Sequence, residues 1–157
     1  MTAMIVTLDV SYSQIAIFAA KLQQPFNDWT DAHVAQGFAW RPGSVSFRTL
    51  NETGPHLIEI EVVDHVGSVS ADTIRAIEVP FEVPSDGAIE LASISDSVSL
   101  SLPTGTFLLR CEFFRNGIGK IRLTFASKDA PRFAIVRSDE TLSTQGELLT
   151  IASAAPG

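Results

Sequence analysis

Cysteine is almost absent. Cys111 is the only one in 157 residues, which excludes an internal disulfide and a cysteine-built zinc site. Cations are scarce as well: 11 Lys and Arg stand against 18 Asp and Glu, for a net charge of −7. That balance argues against direct binding to nucleic acid or to an anionic membrane, and it suits a basic protein partner. No apolar run is long enough to span a membrane. The opening MTAMIVTLDVSYS has neither the basic start nor the long apolar stretch of a signal peptide. Charged residues reach only 18% while apolar ones reach 45%, the reverse of a disordered chain. The expectation is one cytoplasmic domain over residues 1–157, long enough to bury roughly two thirds of its unfolded surface.

Signatures of chemistry are missing too. No GxGxxG, P-loop, GxSxG or HExxH pattern occurs, so no catalytic residues and no cofactor are expected. His33, His56 and His65 are scattered. Asp64-His65 has no second histidine held near it by sequence, and no metal site is expected. Cys111 alternates with polar positions alongside Phe107, Leu109 and Phe113, which reads as a small buried hydrophobe rather than a nucleophile.

What is abundant is alternation. Val98, Leu100 and Leu102 alternate with serines, Phe107 to Phe113 with Leu108 to Phe114, and Ile121, Leu123 and Phe125 with Lys120, Arg122 and Thr124. A period of two describes strands with one face on a core and the other mostly toward water. Turn residues punctuate these runs at Pro42-Gly43, Asn51 to Gly54, Ser85 to Gly87, Thr104-Gly105 and Asn116-Gly117, the last a hairpin signal. The pattern predicts strands over 4–10, 13–20, 44–50, 57–63, 73–83, 88–94, 97–102, 106–115, 119–126, 131–136 and 148–152. The architecture is then all-β, an antiparallel β-sandwich. Pro80 cannot donate to a ladder, so the strand 73–83 should be at an edge or bulged there. One short helix is expected near residues 30–37, with Thr30 capping, Asp31 in the first turn and Gly37 at the end. The loop 138–147 and the tail 154–157 are expected to be the mobile parts.

Two groups of residues invite a binding role. Trp29 and Trp40 flank the helix, with Phe26, Phe38 and Arg41 beside them. They either pin the helix over one end of the sandwich or form an exposed anchor for a partner. Asp28 and Asp31 straddle the helix start, where capping explains Asp31 and leaves Asp28 open. The second group is acidic. Residues 1–100 carry 13 acids and 4 bases, net −9, and residues 101–157 carry 5 acids and 7 bases, net +2. Glu59 and Glu61 share the polar face of one expected strand, and Glu78 and Glu82 that of another. If those strands are neighbours, four carboxylates gather despite their repulsion. This is either a solvated face with offset register or an acidic surface for a basic protein.

Asp28-Trp29-Thr30-Asp31, then Gly37-Phe38, then Ser44-Val45-Ser46-Phe47 together resemble the competence protein ComJ family. Val79-Pro80-Phe81 and Leu102-Pro103-Thr104-Gly105 are similar in type and order. The resemblance runs over roughly residues 8–125, so the C-terminal stretch reads as an addition to it. It implies a non-enzymatic inhibitor of a DNA-entry-type nuclease, a small metal-dependent enzyme of secreted type. A basic nuclease partner also accords with the acidic charge. The alternative is a sandwich that binds a small ligand or carbohydrate, with Trp29 and Trp40 as its aromatic platform.

Overall fold

The computed structural model describes residues 2–114, 119–143 and 147–156. Among them, eleven strands and one helix follow one another. The strands are β1 (Thr2–Val10), β2 (Gln14–Ala19), β3 (Phe38–Arg41), β4 (Ser44–Arg48), β5 (Gly54–Val63), β6 (Thr73–Val83), β7 (Ala88–Ala92), β8 (Ser97–Ser101), β9 (Gly105–Phe114), β10 (Gly119–Ala126) and β11 (Ala134–Arg137). The helix α1 (Asp31–Gln36) lies between β2 and β3. One sheet has the order β1-β5-β10-β9-β6-β11, the other β3-β4-β2-β7-β8.

The sandwich core lies between the sheets. Ile58 and Ile60 of β5, Leu109 and Phe113 of β9, and Leu123 and Phe125 of β10 face Ile15, Ile17, Phe47, Ile89 and Leu91 of the smaller sheet. All are close to fully buried. Cys111 belongs to this core, and burial pushes its thiol well above the ordinary range. Alternation identified that inward face correctly.

It did not identify what covers the outer face. Strands β5 and β6 are consecutive in sequence but not adjacent, because β10 and β9 lie between them. One consequence is a parallel pair, β5 with β10, from His56↔Gly119 to Val63↔Ala126, in a sheet expected to be antiparallel throughout. Another is that the chain from Asp64 to Asp72 must cross the sheet to reach β6. It crosses over β9, whose Arg110 donates to the Gly67 carbonyl at 2.8 Å. The outward side chains of β9, namely Leu108, Arg110, Glu112 and Phe114, are therefore buried, where a face toward water was expected.

The helix forms as the sequence predicts. The Thr30 Oγ1 accepts from the His33 amide, and the Thr30 amide donates to His33 Nδ1 at 3.0 Å, so both ends of the cap are satisfied. Gly37 then turns left-handed at φ 87°. A side chain there would be strained, and its Cβ would meet Leu142 at 2.8 Å.

Pro80 stands where a proline can. β11 pairs with β6 at Ala76, Ile77 and Glu78 but not beyond, so the second half of β6 has an unpaired edge. Strand β3 was missed, since four residues show too little alternation to be read. The expected strand at 148–152 does not form. Instead the Gln36 side chain bonds both the amide and the carbonyl of Leu149, and His33 Nε2 meets the Ile151 carbonyl at 3.0 Å. In the tail expected to be mobile, Ala154 bridges to Asn27, while residue 157 lies outside the described residues. Likewise Asp139 and Thr141 in the expected mobile loop hold the buried Arg75, at 2.9 Å and 2.7 Å. The expected turn at Asn116-Gly117 lies outside the described residues.

Candidate functional site

The strand order rearranges the expected acidic face. Glu59 and Glu61 of β5 are separated from Glu78 of β6 by two strands that bring cations. In the parallel register Glu59 faces Arg122, and Lys120 lies two residues before it on the same face of β10. Glu59 binds Arg122 at 3.0 Å and Lys120 at 3.1 Å. Arg122 also lies 3.8 Å from Glu61 and 3.7 Å from Glu112. Burial pushes the Glu59 carboxyl up, but hydrogen bonds from Arg122 and Lys120, and their charges, outweigh this and hold it below the usual range. Across β9, Arg110 donates to Glu78 Oε2 at 2.9 Å, while Arg132 approaches Oε1 at 2.7 Å, off the angle of a hydrogen bond. Lys120 and Arg122 also stand over the Phe114 ring, each 4.8 Å from its centre. The result is a lattice of alternating charge. The late-sequence excess of cations folds onto the early-sequence excess of acids. Glu78 is fully buried within it and unavailable to a partner, which corrects its place in the expected binding surface. Glu59 and Glu61 keep partial exposure, already matched to cations.

The expected aromatic group is not one cluster either. Phe26 packs edge-on to Phe18 at 5.8 Å on the outer side of the smaller sheet. Trp29 lies edge-on to His33 at 6.4 Å and donates from Nε1 to Gln14 Oε1 at 3.2 Å. Phe38 and Trp40 meet instead across Phe133, at 6.2 Å and 5.1 Å. Trp29 is therefore beside the Gln14 end of β2, while Trp40 stands near the Pro42-Gly43 turn at the other end of the β3–β4 hairpin. Arg41 is held inside the chain: its Nε donates to Asn27 Oδ1 at 2.7 Å, and Nη2 to the Gln24 carbonyl. It fastens the segment that crosses the outer side of the smaller sheet.

Two of the candidate residues, one from each group, do come together. Trp40 and Glu82 line the same recess of 290 Å³, with Pro42, Pro80, Phe81 and Thr106. Trp40 is fixed there, because its Nε1 donates to the Pro80 carbonyl at 2.7 Å. That bond satisfies the edge carbonyl of a residue that has no N–H to leave unpaired. Glu82 is exposed, and no cation pairs with it among the described residues. Asp28 and Asp31 are likewise exposed at the helix start. Glu90 and Asp96 line a second, larger recess of 450 Å³ beside Phe18 and Phe26. Sequence reasoning missed this one, since the β7–β8 turn carries only serines, Ile94 and Asp96 as a signal.

Among the described residues no three His, Cys, Asp or Glu side chains converge as metal ligands would. His65 pairs with Asp129 at 2.9 Å rather than with the adjacent Asp64. His56 is buried beside Gly119, where any Cβ would strike its ring. The hydroxyl–imidazole contact from Thr30 Oγ1 to His33 Nδ1, at 2.9 Å, belongs to the helix cap.

Comparison with known proteins adds identity to this geometry. The family model described as competence protein J (ComJ) matches residues 7–126. A relative from Bacillus subtilis (strain 168), the "DNA-entry nuclease inhibitor", is 29% identical over 105 residues, 66% of this chain and 76% of that protein. The crystal structure of ComJ from Bacillus subtilis, described as the inhibitor of the DNA degrading activity of NucA, aligns with a TM-score of 0.66. At 24% identity it covers 79% of this chain and 95% of that one, and it shows the same fold.

Proposed function

The chain belongs to the competence protein J family, and on that premise we propose that it is a non-enzymatic inhibitor of a DNA-entry-type nuclease. The observation that carries this reading is the match to the DNA-entry nuclease inhibitor across two thirds of the chain. The geometry supports it. The chain carries a net charge of −7, and Asp28, Asp31 and Glu82 are exposed. A nuclease surrounds its phosphate site with cations. An inhibitor that presents carboxylates to that region gains association rate and selectivity.

The contact surface in this reading uses the exposed carboxylates Glu82, Asp28 and Asp31 with the half-buried Trp40 at the recess and Trp29 at the helix start. Glu59 and Glu61 contribute at most the rim of a charge lattice that is already satisfied. Direct contact with nucleic acid plays no part in the reading. The carbohydrate alternative needs open aromatic rings along a groove. Trp40 lines a recess, and it stands edge-on to Phe133 rather than as half of a platform with Trp29.

The test is direct. The purified chain is mixed with the DNA-entry-type nuclease of its own host, and degradation of linear DNA is followed. Inhibition that saturates at a fixed protein ratio, with association slowed by salt, is the expected result. Unchanged DNA degradation together with no complex on gel filtration would sink the reading.

A further inference from the structure

We propose that the recess between the Pro42-Gly43 turn and the unpaired end of β6 receives a single lysine or arginine side chain from the partner protein. The partner's identity rests on the inhibitor reading above; the chemistry of the recess does not.

Its walls are apolar and stiff. Trp40 is locked by its bond to Pro80 and by Phe133, and Pro42 and Pro80 have little freedom to lose. A wall already ordered costs no further entropy on binding. Such walls suit the methylene stem of a long cationic side chain, which buries its carbons and keeps its head at the rim. An aromatic wall adds attraction for a cation that it would not give an aliphatic group.

The rim supplies the matching charge. Glu82 pairs with Thr106 in the β6–β9 register, so the two side chains stand together on one face. They offer a carboxylate and a hydroxyl to a cationic head. Glu78 stands on that same face of β6, and there the chain brings two arginines to the carboxylate. Among the described residues no cation reaches Glu82, so its exposed carboxylate is open to a cation from another molecule.

Two other occupants fit poorly. At 290 Å³ the recess falls just below the roughly 300–1,000 Å³ range of small-molecule sites, so a side chain suits it better than a free organic ligand. Strand addition along β6 is blocked, because Pro80 has no N–H and Trp40 already holds its carbonyl. Side-chain recognition is the mode that remains.

The experiment has two arms. In the first, the protein alone is titrated with Nα-acetyl-arginine methylamide, Nα-acetyl-lysine methylamide and Nα-acetyl-leucine methylamide. The readout is the Trp40 indole N–H resonance, assigned with Trp29→Phe. The cationic probes should shift it saturably at millimolar concentration. Leucine should not, and Glu82→Gln should weaken the response about ten-fold, as loss of a charge-assisted contact does. No shift, or a shift that Glu82→Gln leaves unchanged, overturns the proposal. In the second arm, Thr106→Arg places a guanidinium beside Glu82 within the chain. Thr106 is exposed, so the fold should persist, as circular dichroism would show. Its affinity for the nuclease should fall at least ten-fold. Probe binding without nuclease inhibition would leave the recess standing and remove the inhibitor reading. Full inhibition by Glu82→Gln and Thr106→Arg would remove the recess from the interface and leave the inhibitor reading standing.

Discussion

The two halves of β6 make an instructive pair. Glu78 and Glu82 project from the same face of the same strand, and their local sequences, Ile-Glu-Val and Phe-Glu-Val, are close to interchangeable. Glu78 lies under crossing segments, fully buried between Arg110 and Arg132. Glu82 lies beyond the end of β11, exposed beside Trp40. One carboxylate belongs to the structure and the other is open to a partner. Neighbouring strands and crossing loops make that difference. The strand's own pattern would have treated the two residues alike.

The contrast can be broken most severely at Arg110. Arg110→Ala leaves Glu78 and Glu112 buried without their shared cation and should destabilise the fold by about 3–5 kcal/mol, read as a lowered urea midpoint. A wild-type midpoint would mean that the lattice is not paired as described. Restoring shape without charge sharpens the point: Glu78→Leu with Arg110→Met should recover most of the loss, since a buried pair is often replaceable by apolar groups.

Acid tests the paired half next. Glu59 is held below the ordinary 4.5 by its two cations despite burial. Asp139 is held below 3.8, burial again being outweighed by hydrogen bonds from Arg75 and Thr141. A carboxyl whose folded value is depressed stabilises the fold above its unfolded value, and that contribution fades as pH falls through the folded value. Unfolding free energy should therefore hold steady down to about pH 5 and drop below about pH 4. In Glu59→Gln with Asp139→Asn the acid slope should be visibly shallower than in wild type. An unchanged slope would place the acid sensitivity elsewhere.

The smallest stability effect belongs to the open half. Glu82→Gln should shift the unfolding free energy by no more than about 0.5 kcal/mol, as an exposed substitution without partners does. The same change should slow association with the nuclease and flatten its salt dependence, measured by stopped flow or surface plasmon resonance. A large loss of stability at Glu82 would show that it has a cation after all.

Much of the fold was legible in the residues. Thr30, Asp31 and Gly37 marked the helix because capping is local chemistry, satisfied within one turn. Pro80 announced an edge or a bulge because its missing N–H is a property of the residue itself, and the second half of β6 proves to be the edge. The candidate site was legible only in pieces. Trp40 and Glu82 were each picked out, and no local pattern links residues so far apart in sequence. The stretch 148–152 was misread as a strand. Its Leu149 is held by the side chain of Gln36, a long-range hydrogen bond that leaves no periodic trace.

The sequence by itself determined the all-β class, the inward face of each long strand, the capped helix and the burial of Cys111. Each follows from side-chain period or from bonds within a few residues. Only the tertiary structure decided which carboxylates are neutralised and which remain open. Placing β10 and β9 between β5 and β6 brings Arg110, Lys120 and Arg122 among Glu59, Glu61 and Glu78, while Arg132 reaches Glu78 from the segment that leads into β11. Alternation tells a side chain which face it is on and carries no information about which strand lies beside it. Charge pairing depends on that neighbour, because Coulomb attraction and hydrogen bonds act over a few ångströms of space.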